Sequence, residues 1–393
     1  MVRITSATLI AFAAGAIGAP QGTVTPRQSP GGCECAVKLD ASTNVFEKYT
    51  LHANSFYRSE VEAAAAQMSG EAAEAALRVA DIGTFLWADT IANIDRIEPA
   101  LQDVPCDEIF GLVVYDLPGR DCAAKASNGE LPVGAIDRYK TEFIDEIAAL
   151  IKRYPNQAFA LVIEPDSLPN LITNIDLQSC QDSAAGYREG VAYAFEKLSL
   201  PNVVMYLDAG HGGWLGWPDN LEPGAKELAN AYKAAGSPSQ VRGIAINVSG
   251  WNQWDMTPGE FANDPDGQWN EAENEKAFLE LFSPLLEQNG MPGNAIVDTG
   301  RSGNPGGRLE WGAWCNVVDA GFGPRPTSDV DSQWADAFVW VKPGGESDGT
   351  SDSSAVRYDS FCGRPDAFQP SPEAGTWNQA YFEMLIENAN PAI

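Results

Sequence analysis

The sequence predicts an α/β fold in which a parallel sheet closes into a TIM-like β/α barrel surrounded by helices. Two observations support this prediction. Short apolar runs alternate with helix-like stretches along most of the 393 residues, and polar side chains follow the apolar runs. Strands that alternate with helices form a parallel sheet with helices outside it. No glycine-rich phosphate-binding turn follows the first run, which argues against a doubly wound sheet.

Seven apolar runs are the candidate strands, and seven is close to the eight strands of the closed barrel. We therefore expect a barrel in which a strand pair is missing or open. The runs are Thr84–Trp87, Leu112–Tyr115, Phe159–Ile163, Val203–Leu207, Gly243–Asn247, Ala295–Val297 and Ala337–Val341. The helix-like stretches are Arg58–Ala80 with a break at Gly70, Phe143–Tyr154, Asp182–Leu198, Gly224–Ala235, Glu273–Gln288 and Trp377–Asn388.

Composition and charge limit the class of protein. There are 25 Lys and Arg against 54 Asp and Glu, so the net charge is −29. A surface of that sign repels nucleic acid, which we exclude as a partner. The hydrophobic fraction of 44% is ample for a large core. Beyond the N-terminal segment no apolar run reaches the length of a membrane span, so we expect no membrane partner.

Three parts of the chain are expected. Residues 1–19 have a basic start, a short apolar run and small residues suited to cleavage, which is the pattern of a secretory signal peptide. Residues 20–45 are a short polar lead-in, and residues 46–393 form a single barrel domain. An extracellular chain oxidises most of its cysteines, and seven cysteines leave one over. The cysteines lack zinc-type spacing with His52 and His211, so we expect no metal.

The functional prediction depends on the residues that follow the strands. Carboxylates, tryptophans and a few cations follow the seven runs, and strand carboxyl ends share the barrel rim that carries active sites. In LVIEPDSLPN, at 161–170, an apolar strand end precedes Glu164 and Asp166, which flank Pro165. A carboxyl beside apolar surface has a raised pKa, as a general acid requires. Either carboxyl could instead cap the helix that follows.

These rim residues favour sugar chemistry. The chain has no GxSxG motif, no phosphate loop and no cofactor motif, and only one histidine lies near the rim. Triad hydrolysis is therefore disfavoured, and we expect no cofactor. Paired carboxylates hydrolyse glycosidic bonds, and tryptophan faces suit pyranose rings. Trp214 and Trp217 lie in the glycine-rich segment GHGGWLGW, which is unsuited to a helix core.

Six blocks of the sequence resemble glycoside hydrolase family 6, the fungal cellobiohydrolase II group. VVYDLPGRDCAAKASNGE (113–130) and LVIEPDSLPN (161–170) are similar to its two signature stretches. Further similar blocks are YLDAGHGGWLGW (206–217), DTGRSG (298–303), WCNVVDAGFGPRP (314–326) and FVWVKPGGESDGTSDSS (338–354). The resemblance implies a distorted seven-stranded barrel with a loop-roofed active-site tunnel. It also implies cleavage of β-1,4-glucosidic bonds in cellulose with inversion at the anomeric carbon.

The resemblance implies roles for the residues that match. Asp166 would be the general acid. Asp121, beside Arg120, would keep Asp166 protonated and support the developing cationic ring, because like charges raise one pKa of a pair. Asp348 matches the residue proposed as the base, which could act through a chain of waters.

Further residues would contact the sugar or the water. Tyr115 would crowd the distorted sugar at the cleavage point, and Ser127 would lie on the loop that positions the water. The substrate-binding residues would be Trp87, Asp89, Asp208, His211, Trp214, Trp217, Asn247, Trp314, Lys342 and Glu346.

The family pattern also implies disulfides. Cys122 would pair with Cys180, and Cys315 with Cys362, and each bond would pin a roof loop. Cys106 has no assigned family partner; we expect it to pair with Cys33 or Cys35 and to leave one free thiol.

Two full-length loops favour attack from chain ends. By resemblance, 120–130 and 344–370 would roof the site, and the enzyme would release cellobiose from non-reducing ends. Its partners would be cellulose and cello-oligosaccharides, and we expect a monomer. One alternative is an endo-acting β-1,4-glucanase of the same fold. Another is a protein that binds cello-oligosaccharides without cleaving them.

Overall fold

A parallel sheet that curves into a nearly closed barrel forms the centre of the molecule. The computed structural model describes residue 33 and residues 35–393, so the predicted signal peptide lies outside the described residues. The strands in this range are β1 (Thr50–Leu51), β2 (Leu86–Ala88), β3 (Glu108–Val114), β4 (Ala158–Ile163), β5 (Val203–Asp208), β6 (Val241–Ile246), β7 (Asn294–Asp298), β8 (Asn304–Pro305), β9 (Ala320–Gly321) and β10 (Ala335–Val339).

Helices surround the barrel in the order that the sequence pattern predicts. They are α1 (Ser55–Ala65), α2 (Gly70–Ala80), α3 (Ile97–Ala100), α4 (Ile136–Arg138), α5 (Asp145–Arg153), α6 (Asn170–Thr173), α7 (Gln178–Lys197), α8 (Pro218–Ala234), α9 (Glu275–Gln288) and α10 (Gln379–Glu387). The break predicted at Gly70 separates α1 from α2, and Gly70 has a φ of +61°. No helix of the described residues is long and apolar enough to cross a membrane.

The seven predicted strands are confirmed as β2 to β7 and β10. Hydrogen bonding follows the order β1-β3-β4-β5-β6-β7-β10, and β2 also pairs with β3. Thr50 of β1 lies opposite Glu108 at the start of β3, whereas Leu86 of β2 lies opposite Leu112 further along it. The short strands β1 and β2 therefore share one position, and the barrel has seven positions.

The gap between β2 and β10 is narrow. The backbone N–H of Phe85 donates to the carbonyl oxygen of Trp340 at 3.1 Å. The indole N–H of Trp87 donates to the carbonyl oxygen of Val341 at 2.9 Å. These two bonds bridge the seam, so the barrel is distorted but almost closed.

Both faces of the sheet are buried, which explains why the strands are continuous apolar runs. On β4, Val162 packs inside the barrel with residues of neighbouring strands, and Leu161 and Ile163 pack against the helices. The described part of the lead-in crosses the opposite end from the rim. There the N–H groups of Val37 and Leu39 donate to the carbonyl oxygens of Pro155 and Pro201, both at 2.8 Å.

Three disulfides tie loops to the barrel. The bonds Cys122–Cys180 and Cys315–Cys362 join the cysteines paired by the resemblance. Cys33 pairs with Cys106, and Cys35 carries the free, exposed thiol. The expectation of one bond to Cys106 and one unpaired cysteine is therefore confirmed.

Candidate active site

Several rim residues adopt a backbone conformation that non-glycine residues rarely occupy. The φ angles are +52° for Asp121, +48° for Glu164, +56° for Asp166 and +56° for Asn247. Left-handed non-glycine residues cluster at functional sites, where the surrounding structure holds them in place. All four follow strands β3, β4 or β6, so the strain is concentrated at the carboxyl end of the barrel.

Asp166 is positioned by its own backbone. Its N–H donates to Oδ2 of Asp208 at 3.1 Å, and its carbonyl oxygen accepts from Nδ2 of Asn170 at 2.6 Å. Burial, and then the negative charge of Asp348, raise the pKa of the Asp166 carboxyl to about 6. A carboxyl with that pKa carries its proton in mildly acid solution, as a general acid must.

Asp121 lies close to Asp166 and is more deeply buried, with 6% of its surface exposed. Burial and the charge of Asp166 raise the pKa of Asp121 well above its usual range, whereas the Ser127 hydroxyl and the Arg120 charge favour its ionised form. Carboxyls that interact this strongly titrate as a pair. The pair therefore holds protons at a higher pH than ordinary aspartates do, and the division of roles between its members stays a prediction.

Arg120 faces backbone rather than the Asp121 carboxylate. Its guanidinium donates to the carbonyl oxygens of Asp89, Tyr115 and Ser127, and its centre lies 4.2 Å from the Tyr115 ring centroid. Its nearest carboxylate is Asp116, at 3.5 Å. Arg120 thus stabilises the loop that carries the site, and reaches Asp121 through its electric field alone.

Asp348 is fixed by a buried ion pair. Its two carboxylate oxygens lie 2.9 and 2.8 Å from Nη1 of Arg301, and Oδ2 also accepts the backbone N–H of Asn316 at 2.8 Å. Arg301 lies against the Trp251 ring, 3.7 Å from its centroid. A carboxylate has about four lone-pair sites, so these bonds leave one for water or substrate.

Glu164, two residues before Asp166, serves a different purpose. It is fully buried, accepts the Tyr139 hydroxyl at 2.7 Å, and accepts the backbone N–H groups of Asp116 and Leu117 at 3.3 Å each. Burial raises its pKa to about 7. Its side chain links the ends of β3 and β4 beneath the rim. Helix α6 has no side-chain cap, so the capping alternative is not supported.

Four predicted binding residues gather beside the seam. Trp87, Asp89 and Glu346 line one small pocket together with Phe56 and Arg96. Nζ of Lys342 lies 5.8 Å from the Trp87 ring centroid and 3.8 Å from Oε2 of Glu346.

Tyr115 joins this group through Trp87. The two rings meet edge to face with centroids 5.4 Å apart. Aromatic rings, cations and carboxyls therefore meet on this side of the seam.

A second aromatic group follows β5. The ring centroids of His211 and Trp214 are 6.1 Å apart, and the Trp214 indole N–H donates to Oγ1 of Thr173. The Trp217 indole N–H donates to the Gly213 carbonyl oxygen at 2.8 Å. Both tryptophans are part-exposed and both indole N–H groups are engaged within the protein. Their ring faces, rather than their N–H groups, are therefore the surfaces offered to a ligand.

The loops after β3 and β10 meet above the rim. The backbone N–H of Lys125 donates to Oδ2 of Asp359 at 2.8 Å. Ala126 packs with the Cys315–Cys362 disulfide, and the predicted binding residue Trp314 packs against this cluster. Strands β3 and β10 are not neighbours in the sheet, so this contact crosses over part of the cleft.

Two predicted substrate-binding residues are turned inward. Asn247 is fully buried, and its Nδ2 donates to the carbonyl oxygens of Asn252 and Asp298. Asp208 is 2% exposed, and its carboxylate accepts the N–H groups of Asp166 and Gly210. The buried Asn247 amide exposes no surface to a sugar, so the structure does not support the prediction that Asn247 binds substrate. Asp208 instead positions the backbone of Asp166.

Sequence reasoning missed four residues that support the site. Asn316 holds Asp348, Glu60 faces Glu346, and Asn252 and Glu275 lie behind His211. Asn316 lies in the block 314–326 but had no role assigned there, and the other three lie outside the six blocks, so each is recognised only through its three-dimensional neighbour. Among the described residues, no group of three or more His, Cys, Asp and Glu could hold a metal ion.

Comparison with known proteins identifies relatives over nearly the whole chain. The sequence model of the Glycosyl hydrolases family 6 matches residues 46–389. A 1,4-beta-D-glucan cellobiohydrolase CEL6C of Podospora anserina is 64% identical over 397 residues and covers 100% of both chains. The catalytic core domain of the cellobiohydrolase Cel6A from Chaetomium thermophilum has a TM-score of 0.84 and 48% identity, over 88% of this chain and 99% of that chain. Cellobiohydrolase II (Cel6A) from Humicola insolens, in complex with glucose and cellotetraose, has a TM-score of 0.84 and 45% identity, over 89% and 100% of the chains.

Proposed function

The chain belongs to glycosyl hydrolase family 6, and we propose that it is an extracellular cellobiohydrolase that cleaves β-1,4-glucosidic bonds of cellulose with inversion. The relatives named above support this assignment, since two are cellobiohydrolases by name and a third is the core of one. We further propose that the enzyme acts as a monomer and releases cellobiose from non-reducing chain ends.

One observation carries the proposal most directly. Asp166 is a part-exposed carboxyl with its pKa raised to about 6, and it lies beside the buried Asp121 at the strand ends. An inverting glycosidase needs one carboxyl that is protonated at working pH and a second group that activates water.

The reaction follows from these positions. Asp166 would give its proton to the glycosidic oxygen as the bond to the anomeric carbon breaks. Asp121 would stabilise the positive charge that develops on the ring, and Ser127 would help place the attacking water. Asp348, held by Arg301, would accept the water's proton directly or through a second water.

Binding would be shared between the two aromatic groups. Trp87 with Asp89, Lys342 and Glu346 would hold the sugars on one side of the cleaved bond. The faces of Trp214 and Trp217, with His211, would hold the chain on the other side. Trp314 would contact the chain from the roof. Indole faces pack well against the C–H faces of pyranose rings.

The contact between the loops after β3 and β10 favours the exo mode over the endo alternative. A roof over the cleft restricts entry to chain ends. Viscosity of a soluble cellulose derivative separates the two modes. An exo enzyme lowers viscosity slowly relative to the reducing sugar it releases, and a steep early fall would reject the exo mode.

The direct test is product analysis on cellohexaose with detection of the anomers. We expect cellobiose as the main product, released first as the α-anomer. Asp166→Asn should lower kcat by about 10²–10⁴-fold, the usual contribution of general acid catalysis, with binding of cello-oligosaccharides largely kept. A variant that hydrolyses normally would remove Asp166 from this role. Wild-type protein that binds cellohexaose and leaves it whole would favour the non-catalytic alternative.

A further inference from the structure

His211 is held by hydrogen bonds that come from neighbouring loops. Its Nδ1 lies 3.1 Å from the backbone nitrogen of Gly213 and 3.1 Å from Nδ2 of Asn252. The Asn252 amide has two more partners. Its Nδ2 lies 2.6 Å from Oε1 of Glu275, and its Oδ1 lies 2.8 Å from Nη2 of Arg308. Four side chains and one backbone group therefore form a single connected network.

Arg308 fixes which way the Asn252 amide faces. A guanidinium can only donate, so the atom of Asn252 that contacts it must be the oxygen. Turning the amide over would place its NH₂ group against Arg308, with two donors facing each other. Its nitrogen must therefore face His211 and Glu275. Arg308 is itself paired with Glu260, so its position is also fixed.

The protonation of His211 follows from these donors. Nδ1 receives the Asn252 amide and the Gly213 N–H, and a backbone N–H has no other role than donor. An imidazole nitrogen that accepts carries no proton, so the single proton of the neutral ring lies on Nε2. Burial and the charge of Arg308 lower the pKa of His211 to about 3, which agrees with a ring that stays neutral.

The Nε2–H group is directed away from this network. Within the part of the chain that the structure describes, the hydrogen bonds of the His211 ring all involve Nδ1. The ring lies next to Trp214, and both side chains are part-exposed. A sugar that stacked on Trp214 would bring a hydroxyl oxygen within reach of Nε2.

We propose that Asn252 is a positioning residue that locks His211 as a neutral imidazole protonated on Nε2, so that Nε2–H donates to a hydroxyl of the bound glucan. The identity of the ligand rests on the proposed function. The tautomer does not, because it follows from protein contacts alone. The result would be a hydrogen-bond donor for the substrate that does not change with pH across the working range of the enzyme.

The first experiment needs no substrate. The chain has only 2 histidines, so protein labelled with ¹⁵N-histidine gives the imidazole signals of His52 and His211 alone. The His52→Gln variant lacks the His52 signals, so comparison with it assigns each set of imidazole signals to its histidine. We expect long-range ¹H–¹⁵N correlations to show His211 protonated on Nε2 and unchanged from pH 4.5 to 7.5. A signal of the Nδ1–H tautomer, or of imidazolium at pH 5, would overturn the proposal.

The second experiment reverses the polarity of the contact. Asn252→Asp places a carboxyl oxygen against Nδ1 and also against Oε1 of Glu275, which lies 2.6 Å from the replaced nitrogen. The two carboxyls would share one proton and keep one negative charge beside Nδ1, so we expect Nδ1 to bind a proton and His211 to titrate between pH 4.5 and 7.5. Above that transition Nε2 would have lost its proton and could no longer donate. KM for cellohexaose should then rise by about fivefold as pH increases, the value of about one net hydrogen bond. In wild-type protein this rise should be missing.

Asn202→Asp is the matched control. Asn202 is also buried, and its Nδ2 donates to the carbonyl oxygens of Tyr154 and Gln157 at the opposite end of the barrel. This variant should lose stability as Asn252→Asp does, yet keep the His211 tautomer and the pH dependence of KM. If both variants change the tautomer, or if Asn252→Asp changes neither tautomer nor KM profile, Asn252 is not the positioning residue. A changed tautomer with an unchanged KM profile would show that Nε2 does not donate to substrate.

Discussion

Replacing Glu60 by Gln should make the stability of the protein less sensitive to alkali. Glu60 on α1 faces the carboxyl of Glu346 beyond β10, and burial together with the charge of Glu346 raises the pKa of Glu60 to about 8. Its Oε2 atom is buried and meets no N–H or O–H donor of the protein. A proton shared between the two carboxyls would satisfy this group, and the folded protein would then hold the proton well above the pH at which an exposed Glu loses it.

The sign and the size follow from the difference in pKa between the two states. In the unfolded chain the pKa of Glu is about 4.3, so at intermediate pH the folded state binds more protons than the unfolded state. The stabilisation is complete below about pH 4.3 and is lost as pH rises toward 8. Each pH unit in this interval lowers the free energy of unfolding by at most about 1.4 kcal/mol. The rise from pH 5 to 8 therefore lowers it by at most about 4 kcal/mol.

Glutamine at position 60 would keep the contact with Glu346 but cannot lose a proton in this pH range. The amide that Glu60→Gln introduces would donate an N–H to Glu346 at every pH, so the variant would lack this pH-dependent loss. An unfolding entropy of about 2.1 cal/mol/K per residue converts about 4 kcal/mol into about 5 °C for a domain of this size. The Tm advantage of Glu60→Gln over wild type should therefore grow by up to about 5 °C between pH 5 and 8.

The measurement is thermal unfolding followed across pH 5 to 9 for wild type and variant. Glu62→Gln on the same helix is the control, because Glu62 is exposed and its replacement removes the same formal charge. We expect the Glu62→Gln curve to run parallel to wild type. If the Glu60→Gln curve also runs parallel, the shared proton does not exist and the reasoning is refuted.

Three further outcomes are expected. The kcat/KM for cellohexaose should fall as pH rises through about 6, where Asp166 loses its proton; a rate that stays level to pH 8 would contradict this. Asp336→Asn should lower the free energy of unfolding by about 3–5 kcal/mol, as measured by denaturant unfolding. Both Asp336 oxygens accept from the Arg242 guanidinium, at 2.7 and 2.9 Å, and the buried Arg242 would lose this counter-charge. Glu164→Gln should keep kcat within about threefold of wild type, because the amide oxygen still accepts the Tyr139 hydroxyl and Glu164 transfers no proton in the proposed reaction. A loss comparable to that of Asp166→Asn would show that Glu164 takes part in the reaction.

The strands were predictable because a buried parallel sheet leaves a strong signal. Strands β3, β4 and β5 each contain five or more successive residues without a charged or amide side chain, and β6 and β7 contain shorter apolar runs. Strand β1 left no such signal, because it has only two residues, one exposed and one buried. Its position depends on pairing with Glu108 and Ile109, which are distant in sequence. Only the folded chain shows that contact.

The candidate site was predictable in its location and less so in its contacts. A strand-end position brings a residue to the rim, but does not determine which way its side chain points. Asn247 illustrates this limit, since its amide is taken up by Asp298 and by the following loop. Arg120 is a second case, because it turns from its neighbour Asp121 toward carbonyl oxygens of other segments. Such choices depend on which partners the fold supplies.

Glu164 and Asp166 show why a raised pKa alone does not identify the general acid. Burial raises the pKa of Glu164 to about 7 and that of Asp166 to about 6. Both residues have left-handed backbone conformations and follow the same strand. Their surroundings differ. The Glu164 oxygens are occupied by Tyr139 and by two backbone N–H groups, so no substrate atom can reach them. Asp166 engages its backbone with Asp208 and Asn170, which leaves its carboxyl free at the part-exposed rim. Access to the glycosidic oxygen therefore distinguishes the proton donor from the structural carboxyl, and the backbone hydrogen bonds of Asp166 provide that access.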